Sequence, residues 1–344
     1  MRAAVLYAPK DLRIEPVVAA PLGPCEVEVR IEAGGICGSD LHYYFDGGFG
    51  TVRLKEPMIL GHEIAGTVAR IGAAVANVRP GQRVAVNPSR PCGQCHYCQE
   101  GRQNHCLDMR FYGSAMRFPH VQGGFREILV CEEAQAVPVP PAMSAAQAAF
   151  AEPFAVCLHA ANRAGHLLGK RVLVTGSGPI GALTVIAARR AGALEIVATD
   201  VADAPLAAAR KVGADAAINV TEKDALMRYG VDKGYFDVMF EASGNAQALA
   251  SGLAVVRPTG VAVQIGIAGA EMTLPMNVVV AKEIELRGTF RFHEEFALAV
   301  ALIGSGLVDV MPLLTATLPL TDANDAFALA ADRSKAMKVQ LAFA

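Results

Sequence analysis

The chain has 344 residues, of which 53% are hydrophobic and 19% charged, and its net charge is −2. This length suits two domains with sizeable cores. The two signs of charge are nearly balanced and mixed along the chain, which excludes nucleic acid and membrane surfaces as expected partners. Apolar runs fall short of the roughly 18 residues that a membrane span needs, and the first residues do not resemble a signal peptide. We therefore expect a soluble cytoplasmic protein.

The predicted secondary structure differs between the first and second halves of the chain. Up to about residue 150, short alternating runs separated by glycine and proline predict mostly β structure. From about residue 153, alanine-rich helical windows alternate with short apolar strands, predicted at 171–175, 195–199, 236–240 and 261–265. This alternation is typical of a parallel sheet with helices on both faces. The tail, 292–344, has two further helical windows and a last strand at 339–341, and we expect it to return to the first domain.

Four cysteines share one short loop: Cys92, Cys95, Cys98 and Cys106. Three thiols at steps of three can wrap one ion, and the fourth closes a tetrahedron, so the loop predicts a structural zinc site with no open position. An iron–sulfur cluster is a weaker alternative, because the bacterial ferredoxin pattern has a shorter last gap followed by proline. Disulfides would need an oxidising compartment. The cysteines at 25, 131 and 157 lack ligand spacing and are interpreted as ordinary buried thiols.

A second set of metal-binding residue types lies outside this loop. Cys37, His62 and Glu63 offer a thiol, an imidazole and a carboxylate, the mixture that a catalytic zinc accepts. Each of them alone has an ordinary structural explanation. Glu152 strengthens the metal interpretation, because it lies in an apolar stretch where an unpaired carboxylate is costly to bury. We predict that these four residues surround a catalytic metal ion.

A glycine turn with the pattern G-x-G-x-x-G follows the predicted strand 171–175 and opens a helix predicted at 182–191. Gly176 permits the tight turn, Gly178 lets a pyrophosphate approach the backbone, and Gly181 allows close packing of helix on strand. The helix N-terminus offers free N–H groups to phosphates. We predict a dinucleotide site formed by Gly176, Gly178, Pro179, Ile180 and Gly181.

The type of dinucleotide is predicted from Asp200, which ends the next strand 19 residues after Gly181. A carboxylate there accepts hydrogen bonds from the ribose hydroxyls and repels a 2′-phosphate. Val201 and Ala202 follow, so no arginine is at hand to bind such a phosphate. The sequence therefore favours NAD over NADP. The alternative is that Asp200 is a solvated acid at the end of a strand.

These motifs occur in the order seen in the zinc-dependent medium-chain alcohol dehydrogenases, which the whole chain resembles. Within that superfamily it is most similar to the polyol branch of sorbitol, xylitol and L-idonate dehydrogenases. His42-Tyr43-Tyr44 follows Ser39-Asp40, and Glu152 stands where simple alcohol dehydrogenases have a second cysteine ligand. Three further segments, 47–58, 87–92 and 110–116, look like the bacterial L-idonate 5-dehydrogenases.

The resemblance implies an α/β fold, with a Rossmann doubly wound parallel sheet domain and a mostly-β GroES-like catalytic domain. It implies boundaries at 1–152 for the catalytic domain, 153–290 for the NAD-binding domain and 291–344 for a return segment completing the first. It also implies oxidation of a secondary hydroxyl to a ketone with zinc and NAD, with L-idonate as the expected substrate.

Individual roles also follow from the resemblance. Ser39 is expected to take the substrate proton and to pass it through the cofactor ribose to His42, unless His42 is a structural surface residue. Glu63 and Glu152 are expected to bind zinc directly or through water. On the cofactor side the resemblance adds Ile265, Gly266 and Arg291.

A polyol or sugar acid needs polar groups around the zinc. The candidates are Tyr43, Tyr112, Ser114 and Arg291. The carboxylate of a sugar acid also calls for a cation. Arg117 and Arg53 are the sequence candidates for it, and the alternative is that both are ordinary exposed arginines.

Several alternatives remain open at this point. Sorbitol, xylitol or L-threonine could replace L-idonate as the substrate. A catalytically silent zinc- and NAD-binding protein is a second class, and a zinc-free quinone reductase is a third. The filled metal and cofactor motifs disfavour both. The polyol branch also implies a homotetramer, with a dimer as the alternative.

Overall fold

The computed structural model describes residues 1–267 and 271–343. The first part of the chain is built mainly from short strands. Its elements, in chain order, are β1 (Arg2–Ala8), β2 (Asp11–Pro16), β3 (Glu26–Gly35), α1 (Gly38–Asp46), β4 (Gly48–Phe49), β5 (Val52–Arg53), β6 (Met58–Ile59), β7 (Glu63–Ile71), β8 (Arg83–Val86), β9 (Ser89–Arg90), α2 (His96–Gln99), β10 (Arg110–Phe111), β11 (Ile128–Glu132), β12 (Ala136–Pro138) and α3 (Ala145–Ala149).

The second part of the chain alternates helices and strands, as its apolar pattern predicts. It contains α4 (Ala151–Ala164), β13 (Arg171–Thr175), α5 (Pro179–Arg190), β14 (Glu195–Asp200), α6 (Asp203–Lys211), β15 (Ala216–Asn219), β16 (Phe236–Glu241), α7 (Ala246–Val255), β17 (Val256–Gln264), α8 (Met276–Lys282) and β18 (Glu285–Gly288). The tail then adds α9 (Glu295–Gly304), β19 (Leu314–Pro319), α10 (Ala323–Ala331) and β20 (Lys338–Ala342).

Six of the described strands form a parallel sheet in the order β15-β14-β13-β16-β17-β18. Numbered from β13, this is the order 3-2-1-4-5-6 of a doubly wound dinucleotide fold. The order reverses between β13 and β16, so the crevice for a dinucleotide opens above the carboxyl ends of these two strands. Because the strands are buried on both faces, they read as continuous apolar runs in the sequence.

Seven of the described strands form the other large sheet, ordered β12-β8-β7-β3-β20-β19, with β11 also paired to β3. Strand β3 alternates glutamate with valine and isoleucine, and its Val27, Val29 and Ile31 are fully buried. The last strand, β20, lies antiparallel to β3, which sets Gln340 opposite Gly35. The tail is therefore continuous with the sheet that begins near the N-terminus.

Two local predictions differ from the structure. The helix predicted at 182–191 begins earlier, at Pro179, because proline fits the first position of a helix, where its missing N–H costs nothing. Helix α1 lies within the stretch predicted as mostly β. Its start is marked by Cys37 and by Asp40 three residues later, whose side chain bonds back to the backbone N–H of Cys37.

Candidate active site

A thiol, an imidazole and a carboxylate meet beside the N-terminus of α1. Cys37 is the residue just before this helix, and His62 and Glu63 lie at the start of β7. One ligand atom from each of the three lies within 4.8 Å of the others. Pairing of β3 with β7 sets Gly35 opposite Glu63 and so brings the two segments together.

Asp40 joins the same two segments, although its residue type gave no reason to assign it a role. Its Oδ2 accepts a hydrogen bond from the Cys37 N–H (3.0 Å) and its Oδ1 accepts one from the Gly61 N–H (3.1 Å). Burial raises the pKa of Asp40, although His62 and both N–H groups favour its charged form. The side chain thus fixes the backbone of Cys37 and of Gly61, the residue directly before His62.

Two glycines make room for this arrangement. A Cβ at Gly35 would come within 2.0 Å of Glu63 Oε2, so the carboxylate occupies space that only glycine leaves free. Gly61 has φ +90°, and a Cβ there would lie 2.1 Å from the ring of Phe125. Both positions therefore require glycine for steric reasons.

Lys338 is a buried cation that sequence reasoning missed. It lies at the start of β20, and its Nζ is 2.6 Å from both carboxylate oxygens of Glu63, with hydrogen-bond geometry to Oε1. Nζ also donates to the Ile36 carbonyl (3.1 Å). Burial acts to lower the pKa of Lys338, but Glu63 and Cys37 outweigh it and raise the pKa. Nothing near the ligands in sequence could have indicated it.

The chemistry of the cluster fits a bound zinc ion. His62 Nδ1 and Glu63 Oε2 are buried and lack hydrogen-bond partners among the described residues. Desolvation raises the pKa of Cys37 to about 11. An arrangement of buried acidic groups with one neighbouring ammonium is costly without a further cation. A thiol, an imidazole and carboxylates are the ligands that a catalytic zinc prefers, and the ion would favour the thiolate.

Glu152 faces the same cluster from α4 but does not belong to the three-residue group. It is buried in the first turn of that helix. Burial raises the pKa of Glu152 to about 8, with His62 lowering it and Glu63 and Cys37 raising it further.

A cavity of about 340 Å³ lies beside the four-cysteine loop and is lined by Cys106, Leu107, Met109, Phe111, Ser114, Met116, Arg117, Phe118, Val121 and Arg291. The guanidinium of Arg291 lies over the ring of Phe111, 4.2 Å from its centre, and donates to the Met116 sulfur at 3.1 Å. Burial lowers the pKa of Arg291 to about 10. Within residues 1–267 and 271–343 it forms no ion pair with a carboxylate.

The other candidate cations have different surroundings. Arg117 borders the cavity, but its guanidinium forms an ion pair with Asp108. Arg53 is exposed on β5 and donates to the carbonyl of the preceding residue. Arg291, which the sequence suggested only as a polar neighbour of the zinc, is half-buried, lines the cavity and has no carboxylate ion pair among the described residues.

The remaining candidate substrate residues divide into two groups. Ser114 lines the cavity, and the hydroxyl of buried Tyr43 accepts a hydrogen bond from the Ala115 N–H beside it (3.0 Å). Tyr112 donates its hydroxyl proton to Gln135 Oε1 (3.1 Å) and lines a second cavity instead. Ser114 therefore lines the same cavity as Arg291, and Tyr43 is bonded to the residue next to Ser114, whereas Tyr112 lines the second cavity.

Ser39 and His42 both lie on α1, one turn apart. Ser39 is half-buried, whereas the side chain of His42 is 55% exposed. The His42 ring packs near Phe49, and its Nδ1 lies 3.4 Å from Asp46. The helix thus carries a hydroxyl near the cluster and an imidazole in contact with solvent.

The four cysteines of the loop also come together. Their sulfur atoms all lie within 4.8 Å of one another. Backbone N–H groups point at them: Cys106 Sγ accepts from Cys92 (3.1 Å) and from Asp108 (3.3 Å). The N–H groups of Leu107 and Cys98 lower the pKa of Cys95 to about 6. Four thiols with N–H donors that favour thiolates fit a closed zinc site.

The glycine turn has the shape that a dinucleotide needs. Gly176 has φ +82°, and a Cβ at Gly181 would lie 1.8 Å from the Gly176 carbonyl oxygen. A Cβ at Gly178 would meet only open space, which leaves the backbone accessible at the N-terminus of α5. This cradle suits a pyrophosphate, and the residues present therefore fit the cofactor.

Asp200 lies at the carboxyl end of β14, beside this turn. Its Oδ2 accepts from the Ser177 N–H (2.7 Å), and its Oδ1 accepts from the N–H groups of Val201 (2.8 Å) and Ala202 (3.1 Å). The carboxylate is therefore held in a fixed orientation. Ile265 and Gly266 follow β17 on the other side, where both of their N–H groups donate to the Glu241 carbonyl (2.8 Å).

Comparison with known proteins decides the family. Residues 23–141 match the alcohol dehydrogenase GroES-like domain, and residues 179–305 match the zinc-binding dehydrogenase domain. The Escherichia coli protein named L-idonate 5-dehydrogenase (NAD(P)(+)) is 48% identical over 92% of this chain and 91% of its own. The chain belongs to the zinc-dependent medium-chain alcohol dehydrogenases.

Other relatives agree with this membership. The Bacillus subtilis sorbitol dehydrogenase is 37% identical over 95% of this chain and 92% of its own. The crystal structure of Escherichia coli L-idonate 5-dehydrogenase superposes with a TM-score of 0.94 at 44% identity, covering 99% of this chain and 98% of that one. This dehydrogenase is therefore an oxidoreductase of CH–OH groups with the GroES-like and Rossmann fold, and its cofactors are zinc and a nicotinamide dinucleotide.

The family, the fold class, zinc and a nicotinamide dinucleotide, all predicted for this dehydrogenase, are thereby confirmed, whereas the choice of NAD over NADP stays a prediction. The roles of individual residues, the domain boundaries, the homotetramer and the cytoplasmic location stay predictions. One structural expectation is wrong: Cys25 is exposed, because it lies in the turn just before β3, whereas Cys131 and Cys157 are buried. None of the described helices is both long and apolar enough to cross a bilayer.

Proposed function

We propose that this dehydrogenase oxidises the secondary hydroxyl of L-idonate to the ketone of 5-ketogluconate. The observation that carries the proposal is Arg291, a half-buried guanidinium that lines the cavity and forms no ion pair with a carboxylate among the described residues. A sugar acid supplies such a carboxylate, and arginine binds it in a bidentate manner. The similarity to L-idonate 5-dehydrogenase supports the same substrate.

The metal ligands in this proposal are Cys37, His62, Glu63 and Glu152, with the two carboxylates binding directly or through water. The four cysteines of the loop hold the second, structural zinc. When bound, the catalytic zinc polarises the substrate hydroxyl as a Lewis acid, and the nicotinamide accepts the hydride. Lys338 holds the carboxylate of Glu63, and Asp40 orients the backbone of Cys37.

Proton removal is assigned to Ser39 and His42. Ser39 takes the proton from the substrate hydroxyl, and His42 delivers it to solvent from the exposed face of α1. Imidazole is the side chain best suited to exchange protons near neutral pH. Tyr43 and Ser114 supply polar contacts to the substrate, and Tyr112, bonded to Gln135, supports the wall behind them.

NAD is the proposed cofactor rather than NADP. It is held by Gly176, Gly178, Pro179, Ile180 and Gly181 on one side and by Ile265, Gly266 and Arg291 on the other. The fixed carboxylate of Asp200 accepts hydrogen bonds from the ribose hydroxyls of NAD and repels the 2′-phosphate of NADP. We expect a NADP turnover at least about tenfold below that of NAD, since a like charge at this distance costs on the order of 1–2 kcal/mol.

The proposal extends to the domain boundaries and to the assembly of the protein. The domains are 1–152, 153–290 and 291–344, and the protein is a cytoplasmic homotetramer. β18 is an edge strand of the parallel sheet, and edge-to-edge pairing with a second copy would cover it. Light scattering tests the assembly: a mass of four chains is expected, and a monomer would contradict it.

The test of the substrate is NADH formation by purified, zinc-loaded protein with L-idonate, sorbitol, xylitol and L-threonine. Turnover that strongly favours L-idonate supports the proposal, and Arg291→Ala should remove that preference. A preference for sorbitol or xylitol would support the second candidate, a polyol dehydrogenase, which the similarity to the Bacillus subtilis enzyme favours. Absence of turnover on all four, with zinc and NAD bound, would contradict the proposal.

A further inference from the structure

The four-cysteine loop lines the cavity with Cys106 and Leu107, and it also contacts the segment that carries Arg291. Between Cys98 and Cys106 the chain forms a short 3₁₀ turn, Gln103–His105. Asn104 in this turn is only 7% exposed. Its Nδ2 donates a hydrogen bond to the carbonyl of Phe290 at 3.0 Å, across 186 residues of sequence. Since a carbonyl can only accept, the amide nitrogen must be the group that faces it.

A second contact reinforces the first. The ring of His105 stacks on that of Phe290, with centres 6.1 Å apart and planes inclined by 25°. The loop therefore contacts both the side chain and the main chain of the residue directly before Arg291.

The backbone of Arg291 is unusual. Its φ is +53°, in the left-handed region that residues with a Cβ disfavour. Such a conformation persists when the surroundings determine it. The carbonyl that Asn104 holds belongs to the peptide bond between Phe290 and Arg291. Rotation of this peptide plane changes φ of Arg291 directly, so the hydrogen bond acts on the angle that is strained.

The other end of the same segment is fixed as well. The His293 N–H donates to Glu295 Oε2 (2.9 Å), and Glu295 Oε1 is also bound by His159 (2.9 Å) and Asn162 (3.0 Å) of α4. The segment 289–294 is thus attached to α4 at one end and to the four-cysteine loop at the other. Between the attachments, the guanidinium of Arg291 lies on Phe111 in the cavity.

We propose that Asn104 is a positioning residue through which the four-cysteine loop holds Arg291 in its left-handed conformation and aims its guanidinium at the substrate carboxylate. The loop then has a role in substrate discrimination in addition to its structural zinc. The part that concerns the carboxylate rests on the proposed function, whereas the part that concerns the conformation of Arg291 does not.

The decisive variant is Asn104→Asp, which keeps the size of the side chain and places an acceptor against the Phe290 carbonyl. The matched control is Gln103→Glu, which makes the same charge change at the neighbouring residue. For Asn104→Asp we expect KM for L-idonate to rise about tenfold, the loss expected for one buried hydrogen bond. KM for sorbitol should change less than about twofold, because sorbitol has no carboxylate. Both variants should keep two zincs per chain, and Asn104→Asp should melt only a few degrees below the wild type, because it loses one buried hydrogen bond.

A double-mutant test separates positioning from general destabilisation. If Asn104 acts through Arg291, adding Asn104→Asp to Arg291→Ala should leave KM for L-idonate unchanged from Arg291→Ala alone. The proposal would be overturned if the two substitutions raised KM for L-idonate by the product of their separate effects. Equal rises of KM for L-idonate and sorbitol in Asn104→Asp, or loss of zinc from that variant, would also overturn it.

A crystal structure of zinc-loaded Asn104→Asp tests the conformational part without any substrate. We expect φ of Arg291 to become negative and the guanidinium to leave the ring of Phe111. An unchanged φ would overturn the proposal. Lack of L-idonate turnover by the wild type would instead refute the proposed function and leave this structural result to decide the role of Asn104.

Discussion

The two metal-binding groups of this chain differ in how they are assembled. The cysteine loop draws its four thiols from 15 residues, and its own backbone N–H groups donate hydrogen bonds to the sulfur of Cys106. The proposed catalytic cluster draws Cys37, His62 and Glu63 from two segments, lies beside Glu152 of α4, and is contacted by Asp40 and Lys338. A structural site can therefore be a local unit, whereas the open site depends on the whole fold.

Removal of one thiol from each group tests this difference and should have the largest effects. Cys37→Ala should lower kcat/KM by about 10³-fold, because Lewis-acid stabilisation is worth several kcal/mol and each 1.4 kcal/mol is tenfold. Cys95→Ala should lower the melting temperature instead, by roughly 10 °C, since the loop loses its metal. Steady-state NADH formation and calorimetry measure the two effects. Similar losses of activity and stability in both variants would contradict the distinction.

The second prediction concerns the buried cation that only the catalytic cluster contains. Lys338→Met leaves Glu63 buried without its partner and should lower the free energy of unfolding by about 3 kcal/mol. Urea unfolding at pH 7 measures it. The control is Lys335→Met, which removes an exposed lysine paired on the surface with Asp332 and should cost less than about 1 kcal/mol. An equal cost for both lysines would show that the buried pair has no special weight.

The third prediction concerns Asp40, which holds Cys37 and Gly61 together. Asp40→Asn turns one acceptor into a donor that faces a backbone N–H, so catalytic zinc should bind about 10- to 100-fold more weakly. Competition with a chromophoric chelator measures this affinity. Asp46→Asn, at the exposed end of the same helix, is the control and should leave the affinity unchanged. The four-cysteine zinc should stay bound in both variants, and its loss from Asp40→Asn would contradict the separation of the two groups.

The smallest predicted effect depends on pH. Hydrogen bonds from His159, His293 and Asn162 outweigh burial and lower the pKa of Glu295 to about 2. Because this pKa lies below the unfolded value of 4.5, the stabilisation is complete above about pH 4.5 and is lost as the pH falls towards 2. Zinc-free Glu295→Gln should be roughly 2 kcal/mol less stable than zinc-free wild type at pH 7, and the gap should close on acidification. Glu294→Gln, its exposed neighbour, should show no such pH dependence.

The sequence predicts the local parts of this molecule well. Strand β13 has the predicted bounds, because a buried parallel strand is a continuous apolar run. The cysteine loop and the glycine turn are also local, since their spacing alone determines which atoms can meet. The family, fold and cofactors that these motifs predicted are confirmed by the comparisons.

The parts that sequence reasoning missed depend on contacts between distant residues. Lys338 reaches Glu63 across 275 residues, and Asn104 reaches Phe290 across 186. Strand β19 was not predicted either, although it lies at the edge of the sheet that β20 completes. The preference for Arg117 or Arg53 as a carboxylate ligand rested on sequence neighbourhood. The position of Arg291 in the cavity, with its positive φ, becomes visible only in the folded chain.

Zinc content tests directly whether one chain carries a closed structural zinc site and a separate, open catalytic zinc site. Elemental analysis of the purified protein should give two zincs per chain for the wild type and one for both Cys37→Ala and Cys95→Ala. Cys37→Ala should keep the wild-type melting temperature within a few degrees, whereas Cys95→Ala should not. Loss of both zincs from Cys37→Ala, or a wild type that holds a single zinc, would contradict the account.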